Sequence, residues 1–313
     1  MAYSRCVALF LVGTTFCSSA LAERGGATAL ELGYRSDNLS WNIAGNGSGQ
    51  NPNILSELSW SDLITPYARL SVEGHDKELH LFGAVSHGRT NSGDNQDSDY
   101  ISDNRQGEYS RSNNQADGHL TDVVAGMGYR FRVENNDGRN GYMMPMVGYA
   151  LHRQDLRMTD GYQTVSTPGV TQPVGPIAGL DSRYDANWYS GWLGARFMEE
   201  KLGSGLRLNF DVAYHWVRYR AEADWNLRSD FKHPMSFEHR ANGIGLTFSF
   251  NATAPLDKKV DWVMGVGYGN WRAAKGVDTV YWADYLGGGI SQTRLNEVKW
   301  ESLAVNIGLA QRF

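Results

Sequence analysis

The residues best equipped for chemistry cluster in one polar stretch: Asp94, Asp97, Asp99 and Asp103. Two carboxylates held close raise one another's pKa, and such a pair can position and deprotonate a water. Oxygen ligands also suit calcium, but the glycine that an EF-type loop needs is absent. The third reading is a solvated acidic loop. His87 precedes Ser92 in a His–Ser order that matches no lipase signature. His80, His119, His152 and His215 fall within strand patterns, where they read as hydrogen-bonding residues of a lumen or rim. There is no phosphate loop, no zinc helix motif and no nucleophile elbow.

The elements that must position these residues are strands. In Glu301–Phe313, Leu303, Val305, Ile307, Leu309 and Phe313 share one face, while Ala304, Asn306, Gly308, Ala310 and Arg312 share the other. That is period two. Met1–Ala22 reads as a secretory signal, with Arg5, an apolar Val7–Phe16 core and Ala20-Leu21-Ala22 at the cleavage site. Both cysteines, Cys6 and Cys17, lie inside it, so the mature chain should have no disulfide, thiol nucleophile or cysteine metal site. Thr15-Phe16 before Cys17 makes a poor lipobox. The formal net charge of −5, with both signs scattered, argues against nucleic acid. No later run is long and apolar enough for a membrane helix.

Alternation recurs along the chain. It is cleanest at Leu206–Trp216, where Leu206, Leu208, Phe210, Val212, Tyr214 and Trp216 oppose Arg207, Asn209, Asp211 and Ala213. Short turns at 74–78, 134–141, 199–205 and 255–259 alternate with polar stretches at 87–117, 161–183 and 226–234 and a Gly287–Gly289 loop. This pattern predicts an all-β, ten-stranded antiparallel transmembrane barrel, with long extracellular loops and both termini on the periplasmic side. It occupies 23–313 as one domain. A lumen lined by Glu73, Arg130, Arg196, Arg207 and Asp211 should be plugged by their pairing, because wide channels need about sixteen strands. Trp60, Trp188, Trp192, Trp262 and Trp300 read as interfacial girdle or lumen packing.

Here the chain resembles the omptin family of outer-membrane proteases. Ser56–Trp60 is similar to the family's second strand and Asp97-Ser98-Asp99-Tyr100 to its Asp-x-Asp-Trp. Further similar pieces are Gly148–Gly161, Tyr184–Gly194 and Asn270–Tyr281. The resemblance implies a ten-stranded barrel with a cleft in which an Asp–Asp pair faces an Asp–His pair across a water. It maps the first pair onto Asp97 and Asp99 and the second onto Asp224 with a His. Asn226 stands where that His belongs, and Asn cannot take a proton at neutral pH. His233 is the nearest substitute. The resemblance also implies a lipopolysaccharide site, matched by Tyr149 and Arg153. Leu151 and Asn187 replace its acidic and basic members, and Arg153 alone would read as a rim residue reaching to headgroups.

The expected function is that of a non-proteolytic omptin relative in the bacterial outer membrane, acting through outer loops in surface interaction, adhesion or envelope integrity. The alternatives are an omptin-type endopeptidase using Asp97, Asp99, Asp224 and His233, and a narrow channel. No cofactor is expected beyond lipopolysaccharide as a bound lipid. The expected partners are outer-membrane lipid, lipopolysaccharide and, through the strand ending at Phe313, the barrel assembly machinery.

Overall fold

The computed structural model describes residues 24–134, 140–202 and 205–313. The expected signal peptide at 1–22 lies outside them, as do parts of the turns expected at 134–141 and 199–205. The described residues form strands β1 (Arg24–Ile43), β2 (Ser56–Asp76), β3 (Leu79–Thr90), β4 (Ser92–Ser102), β5 (Gln106–Tyr129), β6 (Phe131–Glu134), β7 (Asn140–Val165), β8 (Gly175–Leu202), β9 (Leu206–Asp224), β10 (Phe237–Pro255), β11 (Val260–Tyr281) and β12 (Ile290–Arg312). β3 and β4 are one strand interrupted at Asn91, since both lie between β2 and β5. β5 and β6 are likewise one strand interrupted at Arg130. The sheet therefore has ten positions, all antiparallel, and it closes where β12 pairs with β1. Closure leaves no unpaired edge, which hydrocarbon demands.

A belt of outward apolar residues rings the barrel, including Leu30 and Leu32 on β1, Leu81 and Val85 on β3, Phe210 and Tyr214 on β9, and Val305 and Ile307 on β12. β7 and β8 run 26 and 28 residues, whereas about 9–11 cross a bilayer. The strands thus project well beyond the belt, towards the end that carries the connections 44–55, 103–105, 166–174, 225–236 and 282–289. This is called the loop end below.

Along the projecting half the two faces exchange character while the period of two continues. On β9 the inward set starts as Arg207, Asn209 and Asp211 and ends as Val217, Tyr219, Ala221 and Ala223, all four buried. The outward set starts as Leu208, Phe210 and Val212 and ends as Arg218, Arg220 and Glu222. Inside the bilayer, turning apolar side chains into the lumen gains nothing over turning them to lipid. Above it the outer wall meets water, and the usual drive to bury apolar surface returns. The lumen there is a packed core of Leu39, Trp41, Leu58, Trp60, Tyr184, Trp188, Trp271 and Trp300, among others. The expectation of a small and polar lumen thus holds only in the belt half. Trp60, Trp188, Trp192 and Trp300 belong to the interior, whereas Trp262 faces out.

The belt half holds a cavity of about 630 Å³ between Gly25, Arg312 and Phe313 at the terminal end and Trp192, Trp271 and Trp300 above. Ion pairs cross it. Arg196 forks onto Asp211 at 2.7 and 2.8 Å and reaches Glu73 on the far wall at 3.7 Å. Arg35 binds Asp122 at 2.7 Å, Asp122 also binds His152 at 2.8 Å, and Arg207 pairs with Asp261.

The expected long loops are shorter than the polar composition suggested. Most of 87–117 is strand: the end of β3, all of β4 and half of β5. Backbone ladders need no apolar side chains. Polar residues on these strands bond one another instead, as in Asn114 to Asn95 at 2.7 Å and Asn95 to the Ser59 carbonyl at 3.1 Å.

Candidate functional site

Asp97 and Asp99 lie on β4, in register with Leu58 and Ser56 of β2 and with Ser112 and Ser110 of β5. Directly paired residues share a face. Leu58 is a core residue with no exposure, so both carboxylates point inward, at the top of the packed core. Burial and the neighbouring Asp99 push the Asp97 carboxyl well above the ordinary range, and Arg228 pulls it back. Burial also raises Asp99, opposed by the hydroxyls of Ser56 and Ser110 and by Arg228. Tyr109 shares the site: burial and Asp99 push its hydroxyl up to about 12. The pair is poised to hold one proton between two carboxylates, or to receive a cation.

The opposing wall is β9, four positions from β4 in the ring of ten. There His233 Nδ1 lies 2.6 Å from Asp224 Oδ1. The segment carrying it is braced: Lys232 N donates to the Tyr281 carbonyl at 2.9 Å, Ala283 N to the Asp230 carbonyl at 2.9 Å, and Tyr281 N to the Ser236 carbonyl at 2.9 Å. Asp224 follows Ala223, which is buried in the core, and precedes Trp225, which packs on it. Asp224 therefore belongs to the outward set with Arg220 and Glu222. The structure brings each expected pair together, but Asp97 and Asp99 face the interior while Asp224 and His233 lie on the outer side of the β9 wall.

The cation acting on Asp97 and Asp99 is Arg228. No sequence signal marks it, since it lies in a connection without periodicity. Its guanidinium forks onto Asp230 at 2.9 and 2.8 Å and lies 4.1 Å from the Phe231 ring centroid. Asn226, in the position where the family resemblance asks for His, is a clamp. Its Oδ1 accepts from Asp181 N at 2.9 Å and from Ser182 Oγ at 3.0 Å, and its Nδ2 donates to the Gly179 carbonyl at 2.7 Å.

Beneath the mouth runs a buried chain that sequence reading missed, because its members come from five strands without local spacing. The Tyr184 hydroxyl lies 2.6 Å from that of Tyr219 and 2.8 Å from His239 Nδ1. His239 Nε2 lies 3.3 Å from Asp278, which accepts from Thr293 Oγ1 at 2.9 Å. Burial raises both tyrosine hydroxyls.

Tyr149 and Arg153 share the outward face of β7. Tyr149 is 55% exposed, open to a lipid. Arg153 is already held by Asp185, through bonds of 2.9 and 2.7 Å. Among the described residues no group of three or more His, Cys, Asp or Glu could hold a metal ion.

A closed antiparallel ring of ten positions with an apolar belt defines an outer-membrane β-barrel, and comparison with known proteins agrees. The chain belongs to the Protochlamydia outer membrane protein family, whose model matches residues 29–313. Among solved structures it is similar to the outer membrane protease OmpT of Escherichia coli, at 12% identity and TM-score 0.75, covering 95% of this chain and 99% of that one. The translocator domain of the autotransporter NalP from Neisseria meningitidis matches at 12% identity and TM-score 0.38, covering 94% and 90%. The likeness to OmpT shows an omptin-like fold. No curated protein matches the sequence.

Proposed function

We propose that this is a surface-facing omptin-like barrel whose mouth binds ligands instead of cleaving them. Its loop end would face the cell exterior, with Tyr149 and the edge of the belt against lipopolysaccharide. The observation that carries this reading is the identity of the group acting on Asp97 and Asp99. It is Arg228, a permanent cation that cannot accept a proton, while His233 is bonded to Asp224 on the outer side of the wall. The centre that the omptin resemblance implies needs a His base within one water of the carboxylate pair. A buried carboxylate pair under the pull of a guanidinium suits recognition of a cationic group on an extracellular ligand. The test is binding of a labelled polycationic peptide to protein in lipopolysaccharide-containing liposomes. Binding should fall in Asp97→Asn and Asp99→Asn and survive in His233→Asn. Equal binding by all variants would overturn the reading.

The 2.6 Å contact between His233 and Asp224 favours a second reading, the endopeptidase. If it holds, a peptide library is cleaved by the reconstituted protein, and both Asp99→Asn and His233→Asn abolish cleavage.

A further inference from the structure

On the wall formed by β12, β1, β2 and β3, a groove of about 780 Å³ opens outward, within the roughly 300–1,000 Å³ typical of small-molecule sites. Its floor is Pro66 and Ala68 on β2, two small side chains in line with the apolar Leu70 and Val72 below. Leu32 and Tyr34 of β1 form one side, and His87 and Arg89 of β3 the other. Leu32 and Tyr34 are more than 60% exposed, as part of the lipid-facing belt. The floor is low for a reason in the sequence. Pro66 has no amide to donate, and the β2–β3 ladder starts only at Tyr67 and Gly88. A Cβ on Gly88 would come within 2.6 Å of the Pro66 carbonyl, and one on Gly33 within 2.8 Å of the Tyr67 ring. Both glycines are in register with Tyr67, so they leave room for that side chain on the lumenal face behind the groove.

The groove has a polar rim on its loop-end side. Arg89 is exposed and forms no ion pair or hydrogen bond among the described residues, unlike Arg153, Arg157, Arg240 and Arg272 on the same outer surface, each held by a carboxylate. His87 stands beside it, bonded through Nδ1 to Thr121 at 3.0 Å and stacked on His119 with ring centroids 5.8 Å apart. A hydrocarbon trough continuous with the lipid-facing belt, capped at its aqueous edge by an unpaired guanidinium and an imidazole, fits a phosphorylated acyl lipid.

We infer that this groove is a specific site for the lipid A portion of lipopolysaccharide, with an acyl chain over Ala68 and Pro66 and a phosphate on Arg89. It is separate from Tyr149 and Arg153. The choice of lipid A over a phosphoglyceride rests on the proposed orientation, which puts the loop end in the outer leaflet. Binding in detergent does not depend on orientation, so the two readings fail separately.

The test is native mass spectrometry of the detergent-solubilised protein titrated with purified lipid A. Ala68→Phe fills the trough from the lipid side and leaves the interior untouched; heat-modifiable gel mobility confirms that the variant folds. The wild type should hold one lipid A that Ala68→Phe loses. Arg89→Glu should weaken that binding about ten-fold or more, as expected for losing a charge-assisted bond. The double variant Tyr149→Ala with Arg153→Ala should keep it. Unchanged stoichiometry in Ala68→Phe would overturn the proposal. So would equal competition by phosphatidylglycerol, or a wild-type dimer that Ala68→Phe dissolves, which would make the occupant a second copy of the chain.

Discussion

Replacing Asn226 tests whether this residue is a structural clamp or the remnant of a catalytic position. Its side chain makes three hydrogen bonds: from Asp181 N, from Ser182 Oγ and to the Gly179 carbonyl. Asp181 is exposed, so its amide regains water when the clamp is lost. Ser182 is 1% exposed, and its hydroxyl is left without a partner. One orphaned buried hydroxyl costs about 1–3 kcal/mol, and each bond that water replaces about 0.5–1.5 kcal/mol. Asn226→Ala should therefore free the start of β8 by about 2–6 kcal/mol, roughly a 30- to 20,000-fold rise in local opening. Hydrogen exchange on peptides covering 175–185 reads this directly, with the belt half of β8 as an internal control that should not move. Asn226→His should open the same segment, because an imidazole nitrogen cannot accept two bonds and return a third. It should bring no peptide cleavage. Unchanged exchange in Asn226→Ala, or proteolysis gained in Asn226→His, would refute the clamp.

Three further outcomes follow from the same geometry. Tyr184→Phe removes the shared hydroxyl of the buried chain and leaves Tyr219 and His239 Nδ1 without it, so unfolding in urea should become easier by about 2–4 kcal/mol. A loss below about 0.5 kcal/mol would mean the chain is not formed. The Asp97 carboxyl is raised in the fold, so folding takes up protons, and stability should fall as pH rises from the ordinary aspartate range of about 4. Asp97→Asn has no proton to lose, so it should match the wild type below that range and exceed it at neutral pH; a wild-type advantage at neutral pH would reverse the sign. The packed Trp271–Trp300 layer, with centroids 5.2 Å apart, closes the lumen above the belt, so planar-bilayer recordings should show no discrete conductance steps, and steady wild-type steps would contradict the packing.

Much of the barrel was legible because a strand in a membrane declares itself by period two, as Leu206–Trp216 does. The count of ten came from turn residues between such runs. The exchange of faces beyond Trp216 was not legible as a change of environment, because Val217, Tyr219, Ala221 and Ala223 keep the same period. Periodicity reports which residues share a face, not which face meets water. The stretch 87–117 read as loop because polar residues carry no hydropathy contrast; Asn95 and Asn114 show that hydrogen bonding holds a ladder equally well. In the site, the closeness of Asp97 and Asp99 was visible from the chain. The approach of His233 to Asp224 was foreseeable only as a matter of reach. Arg228 was invisible, since its meaning comes from a connection that crosses to a wall four strands away.

The central claim is that Arg228, and not His233, shares the interior of the mouth with Asp97. The described residues contain no cysteine, so engineered cysteine pairs supply the only thiols among them. Asp97→Cys combined with Arg228→Cys should join under a short bifunctional thiol reagent, while Asp97→Cys combined with His233→Cys should stay open. Joining of the 97–233 pair, with the 97–228 pair left free, would place the imidazole across from the carboxylates and contradict the account.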